Sequence, residues 1–95
     1  MAKPDPLTRR HVVVRGVVQG VGFRWFVKEL ADSMGLSGWV RNLEDGSVEL
    51  EAEGSTAAMD EFERRLRTGN PSAKVEDMLL VPVAPLGAKG FQITR

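Results

Sequence analysis

The chain has 95 residues, enough for one domain with one core. Its 13 basic and 13 acidic residues cancel, which argues against wholesale nucleic-acid binding or an electrostatic membrane anchor but leaves room for a local basic pocket. The absence of cysteine removes disulfides, thiolate metal ligands and cysteine nucleophiles together.

No apolar run approaches the ~18 residues of a membrane span, and the N-terminus carries no hydrophobic signal segment, so a cytoplasmic location is expected. Met1 to Thr8 contains Pro4 and Pro6 among polar neighbours and reads as a flexible tail, with 9–95 as the folded domain. Arg9 to Arg15 carries Val12, Val13 and Val14, a β-branched run suited to a strand. His11, the only histidine, is expected at a strand surface or edge.

Gly16-Val17-Val18-Gln19-Gly20-Val21-Gly22 follows this strand and precedes a helical pattern. A glycine-rich turn in that setting can curl backbone N–H groups around an anion, beside the free N–H groups and positive dipole end of the helix. Arg24 then falls in the first helical turn, where the macrodipole disfavours a cation by about 0.3–1 kcal/mol. An anion held between Arg24 and the loop accounts for that placement.

Phe23 to Met34 places Phe23, Phe26, Val27, Leu30, Ala31 and Met34 on one helical stripe, with Gly35 as a left-handed cap. Trp25 lies off the stripe, either as a partly exposed packing residue or as part of a pocket wall. Leu36 to Leu43 reads as a second strand and Ser47 to Glu53 as a third, joined at Glu44-Asp45-Gly46. In the third strand Val48, Leu50 and Ala52 alternate with Glu49, Glu51 and Glu53, giving one buried and one solvated face.

Ser55 or Thr56 caps a second helix with Ala58, Met59, Phe62 and Leu66 inward, closed by Gly69 and Pro71. Its late arginines, Arg64, Arg65 and Arg67, complement the dipole. Ala73 to Val81 reads as a fourth strand broken by Pro82 and Pro85, and Phe91 to Arg95 as a short final one. The order is that of an α+β, ferredoxin-like β-α-β-β-α-β sandwich with an extra C-terminal strand. A mostly antiparallel sheet is expected, covered on one face by two helices.

The sequence has no clustered histidines and no nucleophile–base set, so chemistry must come from positioning and electrostatics, which suits phosphoryl transfer. A carboxylate leaving group needs no general acid. Asn42, before the hairpin, is either a turn residue bonded to its own backbone or an uncharged amide able to hold a water.

Val14 to Arg24 resembles the first signature of the acylphosphatases, and Gly38-Trp39-Val40-Arg41-Asn42 with Gly46, Val48 and Gly54 resembles their second. The likeness runs from about Arg9 to Arg95. It implies that Arg24 binds phosphate with the Gly16–Gly22 backbone, that Asn42 orients the attacking water, and that an acyl phosphate is hydrolysed without metal or cofactor. It further implies inorganic phosphate or sulfate as a ligand of the loop, with a monomer and no nucleic-acid or membrane partner expected. An RNA-recognition domain would need aromatic and basic residues on the central strands, where this chain has Glu49, Glu51 and Glu53. The similar segment of a hydrogenase-maturation carbamoyltransferase is the other alternative, set aside because the cysteine-rich modules that follow it there are absent from this sequence.

Overall fold

In the computed structural model, which describes residues 6–95, five strands and two helices follow the order β1 (Leu7–Val17), α1 (Phe23–Ser33), β2 (Ser37–Asn42), β3 (Val48–Ser55), α2 (Thr56–Thr68), β4 (Lys74–Val83) and β5 (Phe91–Ile93). The sheet order is β4-β1-β3-β2-β5. Every pairing is antiparallel except that of β5, which runs parallel to β2. This is the expected ferredoxin-like α+β arrangement with its extra strand.

One face of the sheet is apolar because inward residues recur every second position. Val12 and Val14, Val40, and Val48, Leu50 and Ala52 are fully buried there. Phe23, Val27, Leu30 and Ala31 of α1 and Met59, Phe62 and Leu66 of α2 cover them. Phe26 and Met34, expected on the buried stripe, sit only partly buried at its margin.

Several boundaries differ from expectation. Residues 1–5 of the proposed tail lie outside the described residues, but Leu7 and Thr8 belong to β1, paired with Ser55 and Gly54. β1 also continues through Gly16 and Val17, so the turn proper starts at Val18. A register shift between Arg15 and Gly16 lets β4 approach closely: a Cβ on Gly16 would come within 2.1 Å of the Lys74 carbonyl oxygen. Pro82 does not end β4. It pairs with Arg10, and β4 is an edge strand, where a missing N–H is tolerated.

The other face of the sheet is open to the segment joining β4 and β5. The backbone N–H groups of Leu86 and Gly87 donate to the Glu53 carboxylate at 2.7 and 3.0 Å. Glu53 is therefore 3% exposed and not part of a wet face, and Arg9 beneath it is equally buried. His11 stands at the sheet surface on an interior strand, the first of its two expected placements, and bonds Glu49 at 2.8 Å. Among the described residues no helix is long and apolar enough to cross a membrane.

Candidate active site

β1 and β2 both run antiparallel to β3, so they end at the same edge of the sheet. At that edge lie the turn after β1, the start of α1, and Asn42, the last residue of β2. The fold thus brings all the candidate residues to one border.

The two helices begin in opposite ways. α2 starts at Ser55, whose hydroxyl accepts from the Ala58 N–H at 3.1 Å, a cap worth about 1 kcal/mol. α1 starts at Gly22, which supplies no side-chain cap, and its first turn carries no acid. The N–H groups of Gly20, Val21 and Gly22 have no acceptor among the described residues. Gly20 and Gly22 hold φ values of 73° and 77°, a left-handed backbone that costs an L side chain roughly 1–2 kcal/mol. Alternation of such residues with ordinary ones turns successive amides to one side.

Three contacts hold the turn in place. Val18 buries its side chain in the core. The Gln19 side-chain amide donates to the carbonyls of Leu43 and Ser47 at 2.7 and 2.8 Å, tying the turn to the β2–β3 hairpin beside Asn42. The Asn70 amide, from the segment after α2, donates to the Val21 carbonyl at 2.7 Å. Asn70 was not singled out from sequence, because only the folded chain brings it 49 positions back to the turn. The family resemblance gives Gln19 a backbone role in the turn, and its side chain in addition ties the turn to the hairpin.

Arg24 is half-buried at the start of α1, and among the described residues its guanidinium has neither a carboxylate nor a hydrogen-bond partner. The Asn42 carboxamide oxygen is buried and likewise unpartnered. A buried polar atom left without a partner costs about 1–3 kcal/mol. Asn42 therefore does not bond its own turn, which removes the plain structural account of it. On the hairpin itself the capping role belongs to Asp45, which accepts from the N–H and hydroxyl of Ser47. Those bonds hold the Asp45 carboxyl below its ordinary value.

The site has no group of three or more His, Cys, Asp or Glu placed to hold a metal ion among the described residues. What it offers is a row of amides, one guanidinium and one carboxamide. Such a set can bind a tetrahedral oxyanion through charge-assisted bonds and orient a neutral water. Along α1, a cleft of about 430 Å³ starts at Arg24 and continues over Trp25 and Lys28 to β5.

A turn with free amides beside one arginine and one carboxamide, at the border of a ferredoxin-like α+β sheet, is the arrangement this fold builds. The family model for acylphosphatase matches residues 10–93. The chain is 45% identical over 89 residues to the acylphosphatase of Trichormus variabilis, covering 94% of this chain and 88% of that protein. It superposes on the crystal structure of the acylphosphatase from Bacillus subtilis with a TM-score of 0.89 at 41% identity, covering 95% of this chain and all of that one. A full-length HypF, in a phosphate- and nucleotide-bound form, also matches, with a TM-score of 0.83 and 26% identity over all of this chain but only 13% of that one. The chain belongs to the acylphosphatase family.

Proposed function

We propose that this chain hydrolyses the carboxyl-phosphate bond of acyl phosphates to a carboxylate and inorganic phosphate, with no metal or cofactor. The observation that carries the reading is the pairing of an unpartnered Arg24 guanidinium with an unpartnered, buried Asn42 oxygen on one border of a family member. Arg24 grips two phosphoryl oxygens as a planar fork. The N–H groups of the turn from Val18 to Gly22 take the remaining charge as it shifts in the transition state, chiefly Gly20, Val21 and Gly22, while Gly16 and Val17 of the expected loop are paired with β4.

The water held by Asn42 attacks phosphorus in line. An O–P bond forms, the bond from phosphorus to the acyl oxygen breaks, and the electron pair leaves with the carboxylate. The water's proton passes to a phosphoryl oxygen of the substrate. No side chain is required as a base, in keeping with His11 lying bonded to Glu49 on the sheet's open face. Inorganic phosphate, as product, occupies the same cradle, and sulfate substitutes for it. We further infer a cytoplasmic monomer without nucleic-acid partners. The test is phosphate release from benzoyl phosphate in the presence of a chelator. Steady release that the chelator leaves unchanged is expected, and release abolished by chelation contradicts the metal-free reading.

A further inference from the structure

Arg24 belongs to two places at once. It stands in the first turn of α1 above the amide-lined turn, and it also forms one end of the cleft between α1 and β5. The cleft, at about 430 Å³, falls within the ~300–1,000 Å³ typical of small-molecule sites. Trp25 is its most conspicuous wall. The indole is 62% exposed, off the apolar stripe of its own helix, although α1 has buried positions on offer at Phe23 and Val27. Phe91, 3% exposed, the exposed Gln92 and the partly buried Ile93 form the opposite side from β5.

The cleft is fixed and not a chance gap. The Lys28 ammonium donates to the Phe91 carbonyl at 3.0 Å and to the Asp32 carboxylate at 2.8 Å, tying α1 to the edge strand. Gly38 N–H to the Gly90 carbonyl and Thr94 N–H to the Val40 carbonyl pin β5 from both ends at 3.0 and 2.8 Å. The wall-to-wall spacing is thereby set before any ligand arrives.

We propose that this cleft is the acyl-group subsite, and that Trp25 selects substrates whose acyl group is flat and apolar. The inference rests on the hydrolase reading above and deepens it. A phosphoryl group gripped by Arg24 has its acyl group one bridging anhydride oxygen away, so that group must lie against whatever else borders Arg24. Trp25 is the next residue and Lys28 is one helical turn further, a rise of about 6 Å along the axis. An aryl ring laid there covers the exposed indole and meets Ile93 across the cleft, whereas an acetyl group is too short to reach past Arg24. Trp25 touches the substrate body and not the reacting atoms, so it governs specificity.

The test compares kcat/KM for benzoyl phosphate and acetyl phosphate in the native chain, Trp25→Ala and Trp25→Phe. Because the indole is largely exposed, neither variant endangers folding, which a thermal melt checks. The benzoyl-to-acetyl ratio is expected to fall about tenfold in Trp25→Ala, equivalent to about 1.4 kcal/mol, and to return most of the way in Trp25→Phe. Inhibition by inorganic phosphate should stay as in the native chain. A ratio unchanged in Trp25→Ala overturns the subsite while leaving hydrolysis intact. If the native chain cleaves neither compound, the hydrolase reading falls and takes the subsite with it.

Discussion

On the open face of the sheet, Arg9, His11 and Arg41 each have a carboxylate within hydrogen-bond distance, while at the edge where β1 and β2 end Arg24 has none among the described residues. Arg9 bonds Glu51 at 2.7 Å and Glu53 at 3.3 Å. Glu49 accepts from both His11 and Arg41, and Arg41 also lies 5.5 Å over the Trp39 ring. Burial alone would raise Glu49, but its bonds to His11 and Arg41 outweigh this and hold it below the ordinary carboxylate range. Charge on that face is consumed by charge. At the edge, amides, guanidinium and carboxamide stay unspent, held there by contacts from Gln19 and Asn70 that satisfy only the scaffold. The difference separates polar groups that are partnered within the fold from polar groups that are left without partners among the described residues.

The sharpest way to break this contrast is Arg24→Lys, which keeps the charge and loses the fork. Because a single ammonium cannot bridge two oxygens, we expect a loss of about 10³-fold in kcat/KM. Near-native turnover would show that charge alone suffices. Asn42→Ala comes next, with kcat lowered by about 10²–10³-fold, the range seen when one oriented polar group is removed from a transition state. Inhibition by inorganic phosphate should survive in that variant, since in the proposed mechanism Asn42 positions water and not phosphate. Inhibition that weakened in step with kcat would contradict that role.

Asn70→Ala sharpens the comparison from the scaffold side. Losing the bond to Val21 lets the turn relax, and kcat/KM should fall about tenfold with only a small change in melting temperature. An unchanged rate would mean that the turn holds its shape without Asn70.

The smallest effect on activity, and a clear one on stability, is expected for Glu53→Gln. Burial pushes the Glu53 carboxyl up, but the N–H groups of Leu86 and Gly87 and the Arg9 guanidinium pull harder, so it lies below its ordinary value of 4.5. A carboxyl depressed on folding stabilises fully above the ordinary value and loses that contribution as pH falls through the folded one. The variant should lose about 1.5–3 kcal/mol at neutral pH. Its deficit relative to the native chain should shrink as pH drops below 4.5 in thermal melts, with turnover at pH 7 unaffected. A pH-independent deficit would show that the carboxylate charge is not what the segment after β4 grips.

Features carried by local period were legible in the sequence. The alternation of Val48, Leu50 and Ala52 with three glutamates identified β3 and its buried face, whereas the glutamate face that reads as solvated is occupied by Arg9, His11 and Arg41, and the Phe23–Val27–Leu30 spacing identified α1. The glycine-rich turn was also legible, although it starts at Val18 and not at Gly16, and a cation in the first helical turn singles out Arg24 as a local conflict. What escaped depends on neighbours distant in sequence. Pro82 remains in a strand because nothing pairs beyond β4, a fact of sheet order and not of composition. Glu53 reads as a wet residue until the Leu86–Gly87 backbone crosses above it. Asn70 reads as part of a helix stop, and only the close passage of the turn gives its amide a carbonyl to bind.

The most direct measurement is a titration of isotope-labelled protein with inorganic phosphate, followed by amide and side-chain NMR shifts. The account predicts that the backbone amides of Gly20, Val21, Gly22 and Phe23, the Arg24 guanidinium and the Asn42 carboxamide move together with one dissociation constant, while His11, Arg41 and their carboxylates stay still. Shifts centred on the open face of the sheet, with the turn and Arg24 unmoved, would contradict it.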